Sequence, residues 1–145
     1  LLIDVIGLEW EKVHDEACRW EHVISDDVER RLLRILHAPT RSPYGNPIPG
    51  LKELGLDHEH VPFREGVVPL SEVVPNRGEI TVTMERMSEN LQADAEVLSA
   101  LASLGLRPGV EFVVRRVGID LRFCVGDDAV TVDEAVAELL FVAAR

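Results

Sequence analysis

Positive charge is in short supply. Fifteen Lys and Arg stand against 26 Asp and Glu, a formal net charge of −11. Such a surface repels phosphate, so DNA contact requires another segment. The same charge is compatible with divalent cations, and it is also a common solubility device. Cysteine is scarce too: Cys18 and Cys124 lie far apart in sequence. That excludes a disulfide framework and points to a reducing, cytoplasmic setting. Long apolar runs are missing. The opening LLIDVIGL is short and broken by Asp4, so it does not span a bilayer, and no signal peptide is visible. A Ser-His-Asp order, a phosphate loop, a dinucleotide fingerprint and the His-Glu-x-x-His of a zincin helix are absent as well. Repeats and low-complexity segments are not seen.

Apolar side chains are present in quantity, 46% of 145 residues, enough for one ordinary domain or two small ones. Residues 1–37 read as helical. Trp10, Val13, Ala17, Trp20 and Ile24 recur at spacings of three or four. Ser25-Asp26-Asp27 supplies an N-cap and an acidic first turn for a second helix, which carries Val28, Leu32, Leu33, Ile35 and Leu36 and ends near His37. The pattern is already running at Leu1, which is not a methionine, so further residues are expected upstream. These short helices carry more apolar surface than they can hide among themselves, which implies a symmetric partner, with Leu1, Val5, Ile6 and Trp20 as candidate interface residues.

Residues 38–50, APTRSPYGNPIPG, exclude helix and favour extended backbone. Residues 51–78, with Pro62, Pro69 and Pro75, read as a tether with short ordered pieces. The rest looks β-rich. Ile80, Val82 and Met84 alternate with polar residues, and a helix from Ala95 to Leu104 stops at Gly105. Strands follow at Val110–Val117, Leu121–Val125 and Ala129–Val132, and a last one near Leu140–Ala143 would close a small barrel. The expected class is α+β: a helical domain over 1–54, a linker over 55–78 and a β-barrel over 79–145.

The stretch that carries chemistry is HDEACRWEH, residues 14–22. At about 100° per residue, His14, Cys18, Glu21 and His22 project within roughly a 100° arc of one helix face. His, Cys and Glu are the residue types that ligate first-row transition metals, and Cys18 and His22, with Glu21 beside them, can close on one ion. Blander roles compete: a lone histidine is commonly a core residue, a free cysteine a small buried hydrophobe, a glutamate a solvated charge. With only one cysteine there, an iron-sulfur cluster is disfavoured. His58-Glu59-His60 is discounted because neighbouring side chains in an extended loop point apart. Cys124, in an expected strand, reads as core.

DVIGLEWEKVHDEACRWEHVISDDVERRLLRIL followed by TRSPYGNPIPGL resembles the diphtheria toxin repressor family, which includes the mycobacterial iron-dependent regulators. The match is close over about the first 54 residues and weaker, in the same order, beyond. The resemblance implies a winged-helix DNA-binding domain, missing from this sequence, then a helical dimerisation domain with two metal sites, then a tethered SH3-like domain. It implies a primary site at Cys18, Glu21 and His22, completed by a methionine from the missing part. It implies an ancillary site at His14, with Glu89 and Gln92 of the SENLQAD run supplied by the third domain and a His and a Glu from upstream. Ser42 and Asn46 are implied to contact an anion near that ancillary site, although turn chemistry accounts for both equally well. The run carrying Pro43, Pro47 and Pro49 suits a groove on the SH3-like barrel.

The function expected is metal sensing and homodimerisation in an iron-dependent transcriptional repressor. Metal selects a protein state positioned for operator DNA, which is read only through the missing domain. Fe²⁺ is the expected ion because Cys18 supplies a thiolate softer than a carboxylate; Mn²⁺, Co²⁺, Ni²⁺ or Zn²⁺ could substitute. No enzymatic activity and no membrane partner are expected. The rival class is a dimeric SH3-like interaction module without metal chemistry. A metal-dependent enzyme is weaker, since no general acid or base stands beyond the ligands.

Overall fold

Gly7, at φ +79°, stops the opening turn of residues 1–6 before it becomes a helix. In the computed structural model, which describes residues 1–144, the chain re-enters helix through a 3-10 turn at Trp10–Lys12 and continues as α1, Val13–Trp20. The expected run from Leu8 to Ile24 is therefore shorter at both ends. Helix α2, Asp26–Ile35, starts at Ser25, whose backbone is extended but whose hydroxyl makes no capping bond. It ends in left-handed backbone at His37 and Ala38, with the Ala38 N–H donating to the Leu33 carbonyl at 2.7 Å.

Six strands form one antiparallel sheet: β1 (Val67–Pro69), β2 (Glu79–Met87), β3 (Glu111–Val117), β4 (Asp120–Val125), β5 (Asp128–Asp133) and β6 (Leu140–Ala143), in the order β1-β6-β2-β3-β4-β5. The alternation read in β2 holds from Ile80 to Met84. A register shift between Met84 and Arg86 then lets β2 pair with β3 along its first half and with β6 along its second. The ladder is not closed. Its edges are β5 and the three-residue β1, which ends at Pro69 and so lacks a donor there.

Short helices cover the sheet: α3 (Glu89–Gln92), α4 (Ala95–Ser103) and α5 (Val136–Leu139). Ser88 and Asp94 cap α3 and α4 with their side chains. Gly105, at φ +72°, ends α4 with the Leu106 N–H on the Leu101 carbonyl at 2.9 Å. Leu98 and Leu101 of α4, Leu91 of α3 and Leu140 of β6 are buried with Phe112 and Phe123, whose rings lie 5.0 Å apart. Each such side chain contributes roughly 1.5–3 kcal/mol by leaving water.

Within the expected tether, β1 pairs with β6, and Val67, Leu70 and Val74 are buried. The α4 helix packs on the Trp10–Lys12 turn, so the helical segment docks on the β-rich module beside the start of α1.

Candidate metal centre

The α1 helix brings His14 and Cys18 one turn apart, with Cys18 Sγ 3.7 Å from His14 Nε2. A sulfur at about 2.3 Å and a nitrogen at about 2.0 Å from one tetrahedral ion stand about 3.5 Å apart, so this pair already has the spacing of two ligands. The second residue row comes from the β-rich module. Gln92, buried at the end of α3, donates its amide N–H to the Met87 carbonyl at 3.0 Å. That leaves Gln92 Oε1 as the acceptor 3.3 Å from His14 Nδ1. The arrangement favours the tautomer with the proton on Nδ1 and turns the free lone pair of Nε2 toward Cys18.

Glu21 and Glu89 line the same open cleft of about 700 Å³ with His14, Cys18 and Gln92. His22 does not. Helix α1 ends at Trp20, so the extrapolated helix face no longer applies two residues later. His22 is 82% exposed and its Nε2 lies 3.0 Å from Glu21 Oε1. Among the described residues no group of three His, Cys, Asp or Glu side chains is gathered closely enough to hold an ion. The donors therefore fit a first-row divalent metal in type and in the spacing of one pair, while a third donor has to swing in from Glu21 or Glu89.

Ser42 and Asn46 line the cleft as well. The Ser42 hydroxyl accepts from the Tyr44 N–H at 3.2 Å, which is turn chemistry. Asn46 Oδ1 is buried without a partner among the described residues. With the amide turned over, an N–H donor would occupy that place, suiting an anion. Pro47 and Pro49 line the cleft, and Pro43 accepts the Trp10 indole N–H on its carbonyl at 3.0 Å. The loop meets β2 directly: the Met87 N–H donates to the Tyr44 carbonyl at 3.2 Å, and a Cβ placed on Gly45 would lie 1.8 Å from the Glu85 carbonyl oxygen. Glycine is required there both by that approach and by its φ of +81°.

Of the candidate interface residues, Val5 and Ile6 are exposed, whereas Leu1 and Trp20 are half-buried, Trp20 donating its indole N–H to Glu16 at 2.7 Å. Cys124 is half-buried in β4. Sequence reading placed Trp10 on an apolar helix face and gave no site role to it, to Tyr44 or to Arg107. The Arg107 guanidinium lies 4.0 Å from the Trp10 ring centroid, and the Tyr44 ring meets that of Trp10 at 5.1 Å, tilted by 47°. Burial pushes the Tyr44 phenol up to about 12 and lowers the Arg107 guanidinium. The available signal was a lone tyrosine, the chain's one, inside a proline-rich loop.

Residues 1–50 match the family described as the iron dependent repressor, metal binding and dimerisation domain. The chain is 47% identical over 114 residues to the iron-dependent repressor IdeR of Mycobacterium tuberculosis, covering 79% of this chain and 49% of that protein. It is 50% identical over 111 residues to the diphtheria toxin repressor of Corynebacterium efficiens, covering 77% and 47%. The chain thus spans about half the length of the curated relatives it matches. Among solved structures, a manganese-dependent transcriptional repressor in complex with manganese superposes with a TM-score of 0.74 at 28% identity, covering 99% of this chain and 64% of that one. IdeR of T. acidophilum gives a TM-score of 0.74 at 26% identity, covering 100% and 62%.

Proposed function

We propose a function for a chain that belongs to the iron-dependent repressor family: it binds a divalent metal and dimerises, and metal binding activates operator binding by a DNA-binding region outside residues 1–145. The observation that carries this reading is His14, joined at one ring nitrogen to Gln92 of the β-rich module and at the other to Cys18 of its own helix. A bound divalent ion supplies a cross-link between elements that otherwise meet through single weak contacts. Cys18 offers the first donor of one proposed site and His14 that of a second. Glu21 and His22 complete a Cys18-centred set once the turn after α1 tightens, and Glu89 with Gln92 completes a His14-centred one once Gln92 Oε1 turns from His14 Nδ1 to the ion. The thiolate of Cys18 favours Fe²⁺ over harder ions.

The exposed side chains of Val5 and Ile6, with Leu1 and Trp20 beside them, are the proposed homodimer face. The β-rich module takes the SH3-like role, its docking partner being the chain's own loop with Pro43, Pro47 and Pro49. Ser42 and Asn46 hold an anion beside the metal. Operator recognition falls outside this chain because a charge of −11 opposes phosphate. The function is regulatory rather than enzymatic. No helix among the described residues is long and apolar enough to cross a membrane; a cytoplasmic setting follows from the regulatory role.

Titration calorimetry with Co²⁺ on Cys18→Ser and Glu89→Ala tests the ligand assignment. Cys18→Ser should weaken one site strongly, and Glu89→Ala should leave that site nearly unchanged. Intact binding in Cys18→Ser with none in Glu89→Ala would overturn the division. Sedimentation tests the dimer face: Ile6→Asp should convert a dimer at micromolar concentration to monomer.

A further inference from the structure

A tyrosine hydroxyl is inserted into the helix ladder just ahead of the candidate ligand His14. The Trp10 carbonyl and the His14 N–H are four residues apart, the pair that closes a regular α-helical bond. Here they do not meet each other. The Tyr44 hydroxyl donates to the Trp10 carbonyl at 2.8 Å and accepts from the His14 N–H at 3.0 Å. The Trp10 carbonyl takes its helical bond from Val13 instead, in 3-10 fashion. A side chain inserted into the i→i−4 ladder is one of the few identifiable causes of helix distortion, and it lies where the 3-10 turn gives way to α1. The same residue grips the β-rich module: its carbonyl receives the Met87 N–H at 3.2 Å, and Gly45 beside it lies against Glu85. Gln92, the partner of His14 Nδ1, hangs from the carbonyl of that same Met87. Two routes therefore run from Met87 to His14, one through Tyr44 to its backbone and one through Gln92 to its ring.

We propose that Tyr44 is a positioning residue for His14 and couples metal binding there to docking of the proline-rich loop on β2; this rests on the metal-binding reading above. The element has two arrangements. With the hydroxyl inserted, the loop is docked and the His14 ring is held between Gln92 and Cys18. With it withdrawn, the Trp10–His14 bond closes, α1 extends backward, and His14 leaves its register with Gln92. An ion that prefers the first arrangement draws the loop down, and docking of the loop raises metal affinity by the same factor. Tyr44→Phe keeps the tilted ring contact with Trp10 and removes only the inserted hydroxyl.

The experiment titrates Co²⁺ into wild-type protein, Tyr44→Phe and Cys18→Ser, followed by the cobalt absorption bands, with hydrogen exchange at the His14 and Met87 amides read before and after metal. In the wild type, cobalt should slow exchange at both amides. Tyr44→Phe should bind about tenfold more weakly, on the scale of one lost hydrogen-bond pair, with altered d–d bands and no cobalt-linked slowing at Met87. It should keep the sulfur-to-cobalt band that Cys18→Ser loses. Wild-type cobalt binding without a change at Met87, or a Tyr44→Phe protein equal to wild type in affinity and exchange, overturns the coupling alone. Absence of cobalt binding by the wild type overturns the metal reading and the coupling with it.

Discussion

The helical segment and the β-rich module handle their apolar residues in opposite ways. Helix α2 buries none of its side chains, and Val5, Ile6, Val23, Val28 and Ile35 all face solvent. The module hides Phe112, Phe123, Met84, Met87 and the leucines of α3 and α4 almost completely. The module thus satisfies its hydrophobic demand within one chain. The helical segment is anchored at one end only, where Trp10, Val13 and Tyr44 enter the common core. Its remaining apolar surface asks for another surface, which the proposed dimer supplies.

The sharpest way to break that contrast is to remove one large side chain from each region. Phe112→Ala should cost about 3–5 kcal/mol, whereas Ile35→Ala, at 57% exposure, should cost less than about 0.5 kcal/mol in the monomer. Urea denaturation followed by circular dichroism reads both, and equal losses would erase the distinction. Next comes the seam between the regions. Gly45→Ala sets a Cβ against the Glu85 backbone at positive φ, so a loss of about 2–3 kcal/mol is expected, with residues 38–50 becoming open to protease.

The seam also has a pH signature. Burial holds the Tyr44 phenol neutral up to about 12 in the folded chain, against an ordinary value of 10.0. Unfolding therefore releases a proton between those values. The stability held in full below pH 10 is lost as pH rises toward 12, by about 2 kcal/mol. Tyr44→Phe should flatten the denaturation midpoint across that window relative to wild type. The smallest effect compares two helix caps. Asp94 accepts from the Val97 N–H at 3.0 Å, so Asp94→Ala should cost about 1 kcal/mol. Ser25 makes no such bond, and Ser25→Ala should barely move the melting temperature.

Much of the module was legible because its strands have one wet face and one dry face. The Ile80–Met84 alternation and the stop at Gly105 are carried in the residues themselves. Strand β1 was not legible. Val67 to Pro69 is too short to show a period, and it is a strand because β6 offers it a partner. Helix α5, four residues at Val136–Leu139, was hidden for the same reason. At the candidate site, the spacing of His14 and Cys18 foretold that they meet. The same spacing rule did not show that His22 lies past the end of α1 and outside the cleft, because a period says nothing about where the helix stops.

The sequence by itself determined the chemistry available to this protein: a thiol, imidazoles and carboxylates within nine residues, a glycine in a proline-rich loop, and a net charge of −11. These follow from residue identity and local spacing, which do not depend on distant contacts. Only the tertiary structure decided which donors face one another. Gln92 reaches His14 across 78 positions of chain because α4, which packs on α3, also packs on the Trp10–Lys12 turn ahead of α1, and Tyr44 enters the α1 ladder from 30 positions away because its loop is pinned to β2. Side chains that distant are brought together by the burial of the core between them, and no local pattern in the residues records that burial.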